Sequence, residues 1–219
     1  MIREVEMLAH SIKELKEFYV DSFGLTVIKE NQTSFSVKVG ESSLSFKESE
    51  QSVKPMYHFA FNIPENKMDE AVRWITPKVP IILDQDKQVV HFKDWNAHSI
   101  YFCDPAGNLV ELIARHNLNN STDQLFSQAS LLCVSEIGLP VPNVENAVLK
   151  LSHARIFPWR EYHSKFAAVG DEQGLLIVVK EGRVWFMSDK ESYPYKLTIK
   201  TDVCEVTLDD SNGMNVTRL

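Results

Sequence analysis

Ser99-Ile100-Tyr101-Phe102-Cys103-Asp104-Pro105-Ala106-Gly107-Asn108-Leu109-Val110-Glu111-Leu112 reads as two strands joined by a tight turn. Pro105 suits the second position of such a turn because its φ is already fixed, and Gly107 suits a residue with positive φ. The flanking runs are rich in large apolar and aromatic side chains, as strands require. In the second run Glu111 stands alone among Leu109, Val110, Leu112 and Ile113. A carboxylate there is costly to bury unless it is paired or bound to a metal. The plainer readings are an exposed edge residue or an ion pair with Arg115.

Moving upstream, residues 57–63 form an apolar strand that carries a single imidazole, His58. Asn66-Lys67-Met68-Asp69 can cap a helix whose apolar face is Met68, Ala71, Val72 and Ile75. Residues 81–83 and 88–92 read as further strands. The order is therefore strand, helix, three strands, and it occurs elsewhere in the chain. Near the start, Glu4, Glu6 and Leu8 share one face of a strand. Ser11 and Glu14 form a capping-box pattern, followed by Ile12, Leu15, Phe18, Tyr19 and Phe23 at helical spacing up to Gly24. Short strands at 27–28, 34–39 and 44–46 follow. Downstream the order starts again with a strand at 131–139, a helix capped by Asn143, and strands at 166–169, 174–179 and 184–187. Residues 195–201 and 203–208 begin a fourth unit with no room for a helix.

The fold class expected is α+β, built from repeated βαβββ modules paired into a barrel-like cleft. One such unit leaves a concave sheet face open, and two units together cover it and create a cleft. The expected division is a two-module domain at 1–116, a polar linker at 117–130, and a further region at 131–219. That last region holds the third module and the truncated fourth.

Composition narrows the possible partners. Hydrophobic residues make up 44% and charged residues 24% of the 219, with a net charge of −7. Neither nucleic acid nor an anionic membrane would be attracted to such a chain, while the charge says little about small substrates, which feel the local field of a cleft. Residues 1–6 carry acid and no apolar core, unlike a secretory signal. No run approaches the roughly 18 apolar residues of a membrane span. Cys103, Cys133 and Cys204 fit neither a disulfide framework nor a C-x-x-C site, so reduced thiols and a cytoplasmic location are expected.

Residues 15–25, LKEFYVDSFGL, resemble the F-Y-x-x-x-L-G-L helix exit of the vicinal-oxygen-chelate superfamily. Residues 57–61 are similar to its second-module opening strand, and residues 99–112 resemble its Y-F-x-D-P-x-G-N-x-x-E-L hairpin closely. That superfamily includes glyoxalases, bleomycin-resistance proteins, fosfomycin-modifying transferases and extradiol dioxygenases. The resemblance is strong over 1–115, weaker over 131–200 and poor beyond. It implies metal ligands on the first strand of each module and on a module's last strand, hence a site of Glu4, His58 and Glu111 within 1–116, with 131–219 expected to be metal-free. These lie more than fifty positions apart, so the site would be tertiary. An imidazole with two carboxylates suits a divalent ion such as Mn²⁺, Fe²⁺, Zn²⁺ or Ni²⁺.

Each of these residues also has a plain structural reading. His58 can be a hydrogen-bonded core residue, and Glu4 a solvated carboxylate, with Glu6 on the same face as a rival. Tyr101 and Ser99 match substrate-facing positions of fosfomycin-modifying relatives, so Tyr101 is the candidate catalytic donor to a substrate oxyanion; packing is its alternative. Glu136 occupies the third-module place that matches Glu4 and His58, and Lys196 the fourth. Ser45 stands where glyoxalases carry an acid, one histidine replaces the two of extradiol dioxygenases, and no basic loop for a phosphonate is evident. The implied function is a metal-dependent lyase, transferase or dioxygenase-type enzyme acting on a small oxygen-rich molecule. The alternative is a non-catalytic binding or sequestration protein. The site could lie within one chain or be shared across a homodimer.

Overall fold

The computed structural model describes residues 1–50, 52–209 and 213–219. Strand β1 (Ile2–Ala9) leads into α1 (Ile12–Lys16), which widens into a π-helical segment, Glu17–Ser22. β2 (Val27–Asn31), β3 (Ser34–Val39) and β4 (Ser42–Glu48) complete the first module. The second module is β5 (His58–Ile63), α2 (Met68–Ile75), β6 (Ile81–Ile82), β7 (Val90–Phe92), β8 (Ala97–Cys103) and β9 (Leu109–Arg115). The third is β10 (Cys133–Val141), α3 (Val144–His153), β11 (Phe166–Asp171) and β12 (Gly174–Lys180). The remnant is β13 (Leu197–Thr201), β14 (Cys204–Asp209) and β15 (Gly213–Arg218). The α+β class and the repeated modules are as expected.

Two sheets result. One has the order β15-β14-β13-β1-β4-β3-β2; the other runs β11-β12-β10-β5-β9-β8-β6, with β7 added on β8. β1 pairs antiparallel with β13, and β5 pairs antiparallel with β10. Module one is thus completed by the remnant, and module two by module three. The sheets do not follow the expected division into 1–116 and 131–219. The polar stretch at 117–130 marks a surface crossing between paired modules rather than a boundary between domains. It is tied down along its length: the Glu65 and Phe126 backbone N–H groups donate to Asn120 and Glu70, and the Phe126 ring packs 5.5 Å from Trp74.

Burial separates the sheets. In β5, β9 and β10 every residue is buried, whereas β1, β3 and β4 alternate between buried and more exposed positions. A strand buried on both faces lies between two covered surfaces. The first face of the second sheet carries Phe59, Phe61, Leu112 and Ile137, which share a core with Val5 and Met7 of β1 and with the helices. The other face lines a cleft. Gly40 fixes the approach of the two sheets: at φ +50, an added Cβ would lie 1.8 Å from the Leu132 carbonyl oxygen, which accepts from the Glu41 N–H at 2.9 Å.

Some local expectations change. Ser11 is the N-cap of α1 but makes no side-chain cap, and the N-cap of α2 is Lys67, which makes none either. Asn143 does cap α3, accepting from the Asn146 N–H at 2.7 Å. Residues 184–187 belong to a loop rather than a strand, with only Val184 bridged to Glu191. Among the described residues no helix is long and apolar enough to cross a membrane.

Candidate metal centre

Strand order and register assemble the site. Along the neighbours β10, β5, β9 and β8, Glu136 lies opposite Ala60, Ala60 opposite Glu111, and Glu111 opposite Tyr101. His58 is two residues from Ala60 and so shares its face. A register shift between Val134 and Glu136 adjusts β10 at that point. The row holds an acid, a methyl group, an acid and a phenol; Ala60, the smallest, leaves room for the His58 ring above it. His58, Glu111 and Glu136 are 7%, 2% and 4% exposed, and a ligand atom from each lies within 4.8 Å of the others.

His58 Nε2 is 3.8 Å from Glu111 Oε2 and 3.9 Å from Glu136 Oε2. Two ligands each about 2.1 Å from an ion lie roughly 3.0–3.6 Å apart at angles between about 90° and 120°. The two imidazole–carboxylate distances lie within a few tenths of an ångström of that range, and the two carboxylates lie within 4.8 Å of each other, so the donor set fits an ion once the three side chains close in. The orientation of the imidazole is set from behind. Its Nδ1 lies 3.2 Å from the Leu109 carbonyl oxygen. A carbonyl can only accept, so Nδ1 carries a proton, and Nε2, which faces the two acids, is the nitrogen an ion would take once that position is deprotonated.

Arg115, fully buried on β9, donates from Nη2 to Glu136 Oε1 and from Nε to Asn62 at 3.2 Å. Its guanidinium is also near the Trp95 and Trp159 rings, at 5.6 and 6.0 Å. It holds one oxygen of Glu136 and leaves the other to face His58. Burial and the Glu136 charge push Glu111 up to about 7, with His58 pulling it back. Burial would lower the His58 pKa, but Glu136 and Glu111 outweigh it and the net shift is upward. Burial, then the charges of Glu111 and Glu136, raise Tyr101 well above its ordinary value, so its hydroxyl keeps its proton.

Above this floor opens a cleft of about 310 Å³, walled by Phe92, Trp95, Phe166, Trp185 and Phe186. Trp185 is brought in by Gly138: an added Cβ there would lie 2.5 Å from the indole Cη2, and the indole lies 5.2 Å from the His58 ring. The floor is buried, whereas Phe92 and Phe166 are half-buried and Phe186 is exposed, so the cleft opens past the aromatic walls.

Of the expected ligands, His58 and Glu111 meet. Glu4 does not: its side chain is 54% exposed on the other sheet and pairs with Lys200 at 2.9 Å. Its place is taken by Glu136, from the region expected to be metal-free. The equivalent row of the first sheet holds Ser45, Glu6 and Thr198, of which Glu6 is exposed and the other two are half-buried. Glu136 had a local signal, since it stands beside Ser135 and Ile137 on an apolar strand at the matching place. Its meeting with Glu111, however, depends on β10 pairing with β5. All three side chains come from one chain.

The Asp104–Asn108 turn has a structural task. Asp104 accepts from the Ala106 and Asn108 N–H groups at 3.0 Å each, from Tyr19 Oη at 2.9 Å and from Asn108 Nδ2 at 2.8 Å. Asn108 Oδ1 accepts from the Tyr57 N–H at 2.9 Å. The turn thus fastens the β8–β9 hairpin to the first helix and to the start of β5, one residue before His58.

No protein-family model matches the sequence, and no curated protein matches it. Solved structures do. A candidate dioxygenase from Bacillus subtilis subsp. subtilis strain 168 is similar over 81% of this chain at 14% identity, with a TM-score of 0.61; the match spans 63% of that protein's length. A lactoylglutathione lyase from Agrobacterium tumefaciens matches 51% of this chain and 91% of its own at 22% identity and TM-score 0.44. A fosfomycin resistance protein from Listeria monocytogenes, complexed with Mn(II), matches 55% and 93% at 18% identity and TM-score 0.42. The likeness is one of architecture: the chain has the vicinal-oxygen-chelate fold.

Proposed function

We propose that this chain is a metal-dependent enzyme acting on a small oxygen-bearing molecule, with His58, Glu111 and Glu136 holding one divalent ion. The observation that carries the reading is the convergence of one imidazole and two carboxylates, all buried, with the imidazole Nε2 directed at both acids. Two hard oxygen donors with one nitrogen favour Mn²⁺ or Fe²⁺, with Zn²⁺ and Ni²⁺ also accommodated. When bound, such an ion would polarise a substrate oxygen and stabilise negative charge developing there.

The chain's own groups divide the remaining work. Tyr101, protonated and opposite Glu111, donates a hydrogen bond to an oxygen seated over the floor. Arg115 fixes Glu136 and compensates part of its charge. Trp185, buried beside the His58 ring, shields that side of the floor from water, which strengthens the electrostatic contacts there.

One observation favours a second reading, a metal-free binding protein. A protonated His58 together with Arg115 would balance the two acids without any ion. Electron paramagnetic resonance of Mn²⁺ titrated into chelator-treated protein separates the two. Saturable uptake of one ion, lost in Glu136→Ala and His58→Ala but kept in Glu4→Ala, supports the enzyme reading. No uptake by the unmodified protein leaves only the binding reading.

A further inference from the structure

Arg183 is a half-buried cation on the wall of the same cleft, and among the described residues it has no ionic partner. Its guanidinium carbon lies 5.0 Å from the centre of the Phe166 ring. Among the described residues its side chain makes no hydrogen bond and no ion pair, although Glu181 and Glu191 are close by in sequence. The acids on the floor are engaged elsewhere, Glu136 with Arg115 and His58, and Glu111 with His58. Burial lowers the Arg183 pKa with nothing to offset it, which marks a charge removed from water without compensation.

The backbone beneath it is fixed. The Arg183 N–H donates to the Lys180 carbonyl at 3.1 Å, the Ser192 N–H donates to the Arg183 carbonyl at 2.8 Å, and the Trp185 N–H donates to the Lys190 carbonyl at 3.0 Å. With Trp185 buried against Gly138, residues 181–192 form an anchored loop that presents Arg183 to the cleft. A planar guanidinium laid on an aromatic ring keeps its N–H fork free for an oxyanion.

We propose that Arg183 is a specificity-determining residue, and that the ligand of this cleft is a small single-ring aromatic acid whose anionic group pairs with Arg183. The ring lies between the aromatic walls, where flat faces stack. A cleft of about 310 Å³ is at the small end of the roughly 300–1,000 Å³ usual for ligand sites, which favours one ring over two. This names a substrate class for the site described above, and it rests on that reading for the cleft being where chemistry occurs.

The test is titration of the intrinsic tryptophan fluorescence, to which Trp95 and Trp185 contribute from the cleft wall, with benzoate, phenylphosphonate and the neutral benzamide. Chelator-treated protein isolates the role of Arg183, because no ion can then hold the carboxylate. The two anions are expected to bind about tenfold or more tightly than benzamide, a difference of about 1.4 kcal/mol. Arg183→Gln is expected to abolish that preference while leaving Mn²⁺ uptake intact; Arg183→Lys is expected to keep part of it. Equal binding of benzoate and benzamide, an unchanged preference in Arg183→Gln, or failure of both anions to bind overturns the proposal. Loss of the metal reading would appear separately, as absent Mn²⁺ uptake in a protein that still discriminates anions.

Discussion

Glu111 is the residue through which acidity, burial and metal affinity are connected. Its pKa of about 7, and that of Asp104 at about 6, lie above the values near 4 of carboxyls in an unfolded chain. As pH rises the unfolded state loses these protons first, so their contribution to stability falls between about pH 4 and pH 7. His58 acts in the same direction. Its raised pKa gives stabilisation that is full below about 6.5 and fades as pH passes the folded value. The melting temperature of chelator-treated protein, measured by circular dichroism, should therefore fall from pH 5 to pH 8, and Glu111→Gln should flatten that fall. Mn²⁺ should restore more stability at pH 8 than at pH 6, since its ligands bind deprotonated. Asn108→Ala removes a donor to Asp104 and the acceptor of a buried N–H of Tyr57. Urea unfolding should show a loss of about 2–4 kcal/mol. At this scale the sequence was informative where a polar group interrupts an apolar run, as at His58 and Glu111. Glu4 shares the residue type of a ligand but lies on the solvent face of its sheet, a distinction made by what covers the strand.

Among elements, the loop at 181–192 does most to shape the cleft, and its sequence least resembles its structure. Val184-Trp185-Phe186-Met187 is apolar enough to read as a strand, yet Trp185 turns inward to fill the space left by Gly138, and Met187 adopts φ +61. The helices and the Asp104–Asn108 turn were readable because their signals are local: helical spacing, the Asn143 cap and a proline–glycine pair. The loop was not, because its conformation answers to a glycine on another module. Gly138→Ala should displace Trp185, cost about 1–3 kcal/mol, and shift tryptophan emission to longer wavelength as the indole meets water. Unchanged emission would mean that Gly138 does not seat the ring.

For the whole molecule, the pairing of modules decides where chemistry can occur. The repeat of βαβββ units was legible in the sequence, but the choice of partners was not, because strand pairing between distant segments leaves no period in the chain. β5 meets β10 across the polar crossing, and β1 meets β13 near the far end. A fragment comprising residues 1–116 would leave β1 and β5 each with an open apolar edge, and should fail to show cooperative unfolding by circular dichroism. A cooperative transition would mean that modules one and two can pair with each other. The most direct measurement of the central claim is elemental analysis of protein purified without chelator, alongside its Glu136→Ala and Glu4→Ala variants. We expect close to one divalent ion per chain in the unmodified protein and in Glu4→Ala, and almost none in Glu136→Ala. Metal retained in Glu136→Ala but lost in Glu4→Ala would contradict the account.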